Sequence, residues 1–398
     1  MSLPSHPDLP LAGLRVLALE HAVAAPIATR QLADMGAEVI KLERPGAGDF
    51  ARGYDGAVRG MSSFFIWLNR GKRSVTLDVK APGAAGILAR LVGSVDVVVQ
   101  NWAPGATARL GLSWEALSAR HPGLILCDIS GYGEGGPYAN RKAYDLLIQA
   151  EAGLMSVTGT AEIPARAGIS AADIATGMYV SSGILSALVR RGRSGQGAHL
   201  QVAMLDAMAE WLGNSLYHAA YGAGPPERRA SSHPSLAPYG VHHAGDGQVI
   251  FGIQNDREWP GFCRIVLGKP DLAADPRFAT NIARVQNREA MTAIIEREFA
   301  ALGSAEVTAR LERAGIANGR MNDAREVWNH PQLAARDRWR EVATPVGAVR
   351  AMLPPVTFGD VEAAMGEVPA LGAHTDAVLA GLGFTSAEIE AFRAAGAI

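Results

Sequence analysis

The sequence predicts an α/β protein, with a large domain built on a mostly parallel sheet covered by helices on both faces and a smaller α+β domain after it. Three observations point there. Through the first third of the chain short apolar runs alternate with helical patterns, each bounded by Gly or Pro, which is the rhythm of βαβ units. Hydrophobic residues are 48% and charged residues 19% of the 398, a folding composition with enough length for two domains. After residue 221 a proline-rich stretch without apolar period interrupts the pattern.

The elements follow in order. Residues 15–20 (RVLALE) form the first strand, 26–35 a helix, and 38–43 (EVIKLE) the second strand. Residues 74–79 (SVTLDV), a helix over 83–92, the strand 96–101 (DVVVQN), a helix near 114–120 and the strand 124–129 (LILCDI) continue the alternation. Helices over 144–155 and 173–190, a strand at 198–203 and a helix over 205–221 complete a large domain of residues 1–221. Residues 222–239 read as a linker and 240–330 as the small domain, with a strand at 249–253 and helices over 287–302 and 304–314. Residues 331–398, with strands within 342–353 and a helix over 386–394, are expected to return to the large domain. In a parallel sheet of this kind the ligand lies beyond the carboxyl ends of the strands.

Composition excludes several classes. Lys+Arg 37 against Asp+Glu 39 leaves a net charge of -2, so no global basic field exists to hold a nucleic acid. Two cysteines, Cys127 and Cys263, make neither a disulfide framework nor a zinc knuckle, and the histidine spacing fits no metal pattern. The start, MSLPSHPDLP, lacks a basic region followed by an apolar one, and apolar stretches are too short to span a bilayer. The expectation is a cytoplasmic protein with no metal, no permanently bound cofactor, no nucleic acid and no membrane.

The turns after the strands carry the chemistry. After the first strand the chain reads EHAVAAP where a nicotinamide fingerprint needs Gly-x-Gly-x-x-Gly, and the Gly71-Lys72-Arg73 segment lacks both the first glycine and the hydroxyl of a P-loop. What remains is a set of polar turns: Glu43 to Asp49, Asn69 to Arg73, Asn101 to Gly105 with Arg109, and the glycine-rich 131–137. Cations, an indole and flexible backbone on one rim suit a ligand with phosphates and a flat base. Asp173 opens a helix whose apolar positions are Ile174, Met178, Leu185 and Leu188. Local chemistry makes it an N-cap, and the amides and dipole of a helix start favour an ionised, nucleophilic carboxylate.

The blocks LAGLRVLALEHAVAAP, QLADMGAEVIKLERPGAGD, LNRGKRSVTLDVK, DVVVQNWAPG, GYGEGGPYANRKAYDLLIQAEAGLMSVTG and ADIATGMYVSSGILSAL resemble the family III CoA-transferases, the group of formyl-CoA transferase and carnitine CoA-transferase. The likeness is dense from residue 11 to about 210. It implies a Rossmann-like large domain, a small domain, and an interlocked-ring homodimer. It also implies that Asp173 is the nucleophile, forming first an aspartyl mixed anhydride and then an aspartyl-CoA thioester, with coenzyme A as cosubstrate. His21, Ala22, Arg44, Lys72, Asn101, Trp102, Arg109 and Lys142 would line the CoA site, and Tyr144 with Asp145 would lie near the reacting carbonyl. The partners implied are an acyl-CoA and a carboxylic acid.

The family also holds α-methylacyl-CoA racemases, which pair the aspartate with a histidine in a Gly-His-Asp segment. Here that segment is Ala143-Tyr144-Asp145, and a phenol with an ordinary pKa of about 10 is a poor base near neutrality, which favours the transferase. The glycine-run loop of formyl-CoA transferase has no counterpart in FGIQNDREW at 251–259, which argues against oxalate or formate as substrate. The segments VAAPIATRQLADMGAEV and GDFARGYD resemble members acting on C4 and C5 dicarboxylates such as succinate, itaconate and mesaconate. A second carboxylate would need a cation, for which Arg52 and Arg166 are the candidates, each with a solvated surface arginine as the plain alternative. A non-catalytic CoA-binding protein of the same fold is the remaining alternative, and the presence of Asp173 speaks against it.

Overall fold

The computed structural model describes residues 7–222 and 224–398, which divide into two compact units. The first comprises the described residues up to Leu154, Ala167–Gly213 and Leu333–Ile398; the second comprises Met155–Arg166 and Asn214–Gln332. In chain order the elements begin β1 (Arg15–Leu19), α1 (Ala24–Asp34), β2 (Glu38–Glu43), α2 (Ser63–Asn69), β3 (Lys72–Thr76), α3 (Ala84–Gly93), β4 (Val97–Gln100), α4 (Trp114–Arg120) and β5 (Ile125–Ser130). They continue with α5 (Asp145–Glu151), the short α6 (Leu154–Val157), α7 (Ala171–Ser194), β6 (Ala198–Ala203) and α8 (Met204–Trp211).

Among the described residues, these six strands form one sheet of order β3-β2-β1-β4-β5-β6, parallel at every pairing. That is the doubly wound order whose direction of travel reverses between β1 and β4, leaving a crevice beyond their carboxyl ends. Successive residues of β1 serve opposite layers. Leu17 and Leu19 join Ile87, Leu88 and Leu91 of α3 on one face, while Val16 and Ala18 join Ala25, Ala28 and Leu32 of α1 and Val180 and Ile184 of α7 on the other. Strand β3 begins two residues before the apolar run 74–79 because Lys72 pairs with Val39 of β2 and its ammonium is satisfied inside the protein.

Helix α7 has the length and mean hydropathy of a membrane span, yet its small residues Ala172, Ala175 and Gly177 are buried and it packs along α1. The contact is tightest at Gly177. A Cβ there would collide with the Ile27 side chain and come within 2.7 Å of the Ala24 carbonyl oxygen, so the two backbones approach as closely as they do only because that position is glycine.

The second unit holds an antiparallel sheet of β7 (Tyr239–Ala244), β8 (Gly247–Gly252) and β9 (Asn318–Gly319). Phe251, Trp259, Phe262, Phe278, Phe299 and Leu311 form its core. The described residues of the proline-rich 222–239 stretch, read from sequence as a linker, belong to this unit. Buried Arg284 donates to the Ala237 carbonyl at 2.7 Å and to the Phe278 carbonyl at 3.0 Å, and Arg288 donates to the His233 carbonyl at 2.8 Å, which ties the stretch to the helices Asn281–Gln286 and Arg288–Phe299. The last 66 residues, Leu333–Ile398, belong to the first unit, where Val378, Leu379, Phe384 and Ile389 close the core under α3.

Gly177→Ala is expected to destabilise by about 1–3 kcal/mol through overpacking against α1, despite alanine's helix preference. Gly183→Ala, whose Cβ meets only Leu200 at 3.7 Å, serves as the control and should be neutral or mildly stabilising. Urea denaturation of the two variants checks this, and equal stability would contradict the close packing.

Candidate active site

The crevice between β1 and β4 is held by side chains that replace missing backbone partners. The Asn101 amide spans it: its Oδ1 accepts from the His21 amide at 3.0 Å and its Nδ2 donates to the His21 carbonyl at 2.9 Å. Ala22, the next residue, adopts a left-handed φ of 62°, unusual for a residue with a Cβ, and its N–H donates to Asp49 Oδ1 at 3.1 Å. His21, Ala22, Asn101 and Trp102 thus come together at the switch point. Burial lowers the His21 pKa, so the ring is neutral at physiological pH.

Beneath this turn lies a cluster of buried ions. Glu20 Oε1 accepts from Lys72 Nζ at 2.6 Å and from Lys41 Nζ at 3.2 Å, and Lys41 also reaches Asp49 Oδ2 at 2.8 Å. Thr29 donates to the other Glu20 oxygen at 2.6 Å. Burial alone would raise the Glu20 carboxyl, but Lys41 and Lys72 outweigh it and hold the group at about 2. Lys72 is enclosed, and its three donors go to Glu20, Pro26 O and Asn69 Oδ1. Expected to meet CoA, it instead supports the turn from below. Arg44, Arg109 and Lys142 are exposed and follow β2, β4 and β5, on the rim where the strands end.

Arg52 is likewise engaged elsewhere. Its guanidinium makes a fork with Glu43, at 2.8 Å to each oxygen, and lies 3.7 Å from the centre of the Phe65 ring. A group so bound has its carboxylate already, which removes the reading of Arg52 as the cation for an acceptor's second carboxylate. Arg166 is exposed and lies in the second unit, whereas Asp173 lies in the first.

Asp173 stands in the first turn of α7, not at its cap. The N-cap position is Ser170, whose side chain makes no capping bond. The capping acceptor comes from 28 residues earlier: Asp145 Oδ1, on the first residue of α5, accepts from the Ala172 amide at 2.9 Å and the Asp173 amide at 3.3 Å. The electrostatic expectation also reverses. Burial, followed by the Asp145 charge, raises the Asp173 carboxyl from 3.8 to about 7, because a desolvated carboxylate beside another loses more than the helix start returns. The Tyr54 phenol is pushed up to about 12 by burial and by the charges of Asp49 and Asp173, which places it within the field of the same carboxylate.

Sequence reading missed an aromatic strip beside this site. His21, Phe50, Tyr54, Phe64 and Trp67 follow one another ring to ring at 4.8, 5.7, 5.5 and 6.4 Å between centroids. Phe50, Tyr54 and Trp67 are each more than a third exposed. Phe64 packs on the same apolar cluster as Ile174, the neighbour of Asp173. The available signal was the density of rings within 50–67, a segment that lacks a strand pattern.

The family model described as CoA-transferase family III matches residues 11–375. The succinate–glutarate CoA-transferase of Agrobacterium fabrum is 37% identical, with 82% of this chain and 84% of that protein covered. The acetyl-CoA:oxalate CoA-transferase of Acetobacter aceti is also 37% identical, over 84% of this chain and 86% of that one. The crystal structure of a CAIB/BAIF family protein from Brucella suis superposes with a TM-score of 0.82 at 36% identity, covering 94% of this chain and 99% of that chain.

The Asp173 shift has a consequence for stability. Its folded-state pKa of about 7 lies above the ordinary 3.8, so as pH rises through that interval the unfolded chain ionises first and the fold loses relative stability, a cost fully present above 7. Asp173→Asn removes the charge. Its melting temperature is expected to exceed that of the wild type by about 2–4 °C at pH 8, a gain of about 1 kcal/mol after discounting for solvent at the accessible side. The gain should shrink at pH 5. A difference independent of pH would contradict the shift.

Proposed function

The chain belongs to CoA-transferase family III and is an enzyme of that class, and from this premise we propose that it transfers CoA to a C4–C5 dicarboxylate, such as succinate, itaconate or mesaconate, with Asp173 as nucleophile. The Asp173 carboxylate attacks the carbonyl of the donor thioester; the C–S bond breaks, CoA leaves as thiolate, and a mixed anhydride forms on the aspartate. The thiolate attacks the aspartyl carbonyl, releasing the donor acid and leaving an aspartyl-CoA thioester. The acceptor carboxylate then displaces the thiolate to form a second anhydride. Attack of the thiolate on the acceptor's acyl carbon yields the new thioester and restores Asp173.

The observation that supports this most directly is the placement of Asp173 in the first turn of α7 beside the Asp145 carboxylate, where burial and that charge raise its carboxyl to about 7. Burial penalises the anion, and acylation turns the anion into a neutral group, so the covalent intermediates relieve a cost the free enzyme carries. A more basic carboxylate is also a stronger nucleophile, while a pKa of about 7 leaves a large ionised fraction at neutral pH. The rim turns with His21, Ala22, Asn101, Trp102, Arg44, Arg109 and Lys142 suit the nucleotide and phosphates of CoA, with the exposed cations free of any requirement to enter the core. Tyr144 is 65% exposed and carries a phenol where a racemase needs a neutral-range base, which supports transfer over racemisation. The choice of a C4–C5 acid draws on the likeness to the succinate–glutarate enzyme and on the segments GDFARGYD and VAAPIATRQLADMGAEV. The same reading takes the chain as an interlocked homodimer in the cytoplasm.

Incubation with succinyl-CoA and a panel of acids, with new thioesters identified by mass, tests the proposal. Glutarate, itaconate and mesaconate should be accepted at least about tenfold better than oxalate or acetate, a margin of about 1.4 kcal/mol. Asp173→Ala should lose transfer by about 10³-fold or more while titrating with CoA as the wild type does. Retained turnover in that variant would remove Asp173 as the nucleophile, and a preference for oxalate would remove the substrate class.

A further inference from the structure

We propose that Asp145 is a positioning residue for the transfer reaction: it fixes the first turn of α7, with Asp173 on it, and sets a second carboxylate beside the nucleophile. This rests on the reading of Asp173 as nucleophile.

The amides at the start of α7 define the role. The first four N–H groups of a helix lack intrahelical acceptors or depend on the cap residue's carbonyl. Ala171 donates to the Ile169 carbonyl at 2.8 Å and Ile174 to the Ser170 carbonyl at 2.9 Å, which leaves Ala172 and Asp173. Both donate to one oxygen of Asp145. The second Asp145 oxygen accepts from Gln149 Nε2 at 2.6 Å, and Gln149 is fully buried. That amide in turn accepts from Ala167 N at 2.9 Å and donates to Ile169 O at 3.3 Å. Two residues one turn apart on α5 therefore hold the chain from Ala167 to Asp173, and the nucleophile's own backbone is part of what they hold.

A serine or asparagine at the cap would have satisfied the same amides without charge. A carboxylate in that place does one thing more: while it occupies the two N–H groups that would otherwise stabilise an anion at the helix start, it adds a like charge to the site. The titratable groups set against Asp173 are Asp145 at the start of α5 and the phenol of Tyr54, which itself feels Tyr144; among the described residues Asp145 supplies the charge that acts appreciably on Asp173. The resulting carboxylate is more basic than an isolated helix-start aspartate, and its acylation is correspondingly favoured.

Asp145→Asn retains an oxygen for the two amides and removes the charge, whereas Asp145→Ala removes both. In Asp145→Asn the acid limb of the kcat/KM profile is expected to move down by about one pH unit, and the plateau rate above pH 8 to fall by about 3- to 10-fold. Asp145→Ala should lose thermal stability as well as rate. An acid limb at the wild-type position in Asp145→Asn, with rate losses that follow melting temperature in both variants, would reduce Asp145 to a structural cap and overturn the proposal. The ¹³C shift of the Asp173 γ-carboxyl, assigned by its disappearance in Asp173→Ala, gives the same titration without turnover. A downward shift there in Asp145→Asn upholds the electrostatic coupling even if Asp173→Ala remains active, in which case the nucleophile reading fails on its own; an unchanged titration overturns the coupling.

Discussion

Four buried ions hold the carboxyl end of the sheet. Glu20, Lys41, Asp49 and Lys72 are each enclosed, and removing such charges from water costs roughly several kcal/mol per ion, so the cluster is tolerable only if every ion is matched. Each is. The match also has a geometric product. Asp49, placed by Lys41, has a second oxygen that takes the amide of Ala22, and so a residue with a Cβ is kept in a left-handed conformation where a glycine would ordinarily stand. Strand β1 can then turn sharply into α1 without a glycine-rich fingerprint, and His21 is presented to Asn101 across the switch point.

The two sides of the site are built on opposite electrostatic principles. At the switch point the buried charges are paired: Lys41 and Lys72 hold Glu20 at about 2, while burial and the like charge of Lys41 pull Lys72 down to about 7. At the start of α7 the opposite holds: a carboxylate is placed beside another carboxylate, and the local amides go to the neighbour. A rigid, matched frame can hold such an unmatched group in position, since the penalty at Asp173 is localised on one side chain. Gly177, one turn further along, brings α7 close enough to α1 for the two parts to be mechanically joined.

Much of the frame was legible in the sequence because it follows from local pattern. Short apolar runs such as RVLALE and DVVVQN, bounded by turns and alternating with helical patterns, read as strands buried on both faces, and the six of them fall in the parallel sheet with small shifts at their ends. The largest shift, at β3, arises because Lys72 interrupts the apolar pattern while remaining inside. A lysine centred in EVIKLE carried the corresponding hint of a buried partner at Lys41. Pairings across long sequence separations were not legible. Asp173 at a helix start looks self-capping until Asp145 is seen on its amides, and Arg52 looks available until Glu43 and Phe65 are seen to hold it. In both cases the residue types were recognised and their partners were not, since partner choice is decided by packing between elements that share no local signal.

The central claim is that a partly buried, raised carboxylate at Asp173 carries the acyl and CoA groups in turn. Its most direct test is a single-turnover incubation with succinyl-CoA, quenched with hydroxylamine and mapped by peptide mass spectrometry. The account predicts a donor-dependent hydroxamate on Asp173 and on no other carboxylate. Transfer proceeding with no modified aspartate, or with the label on a different residue, would contradict it.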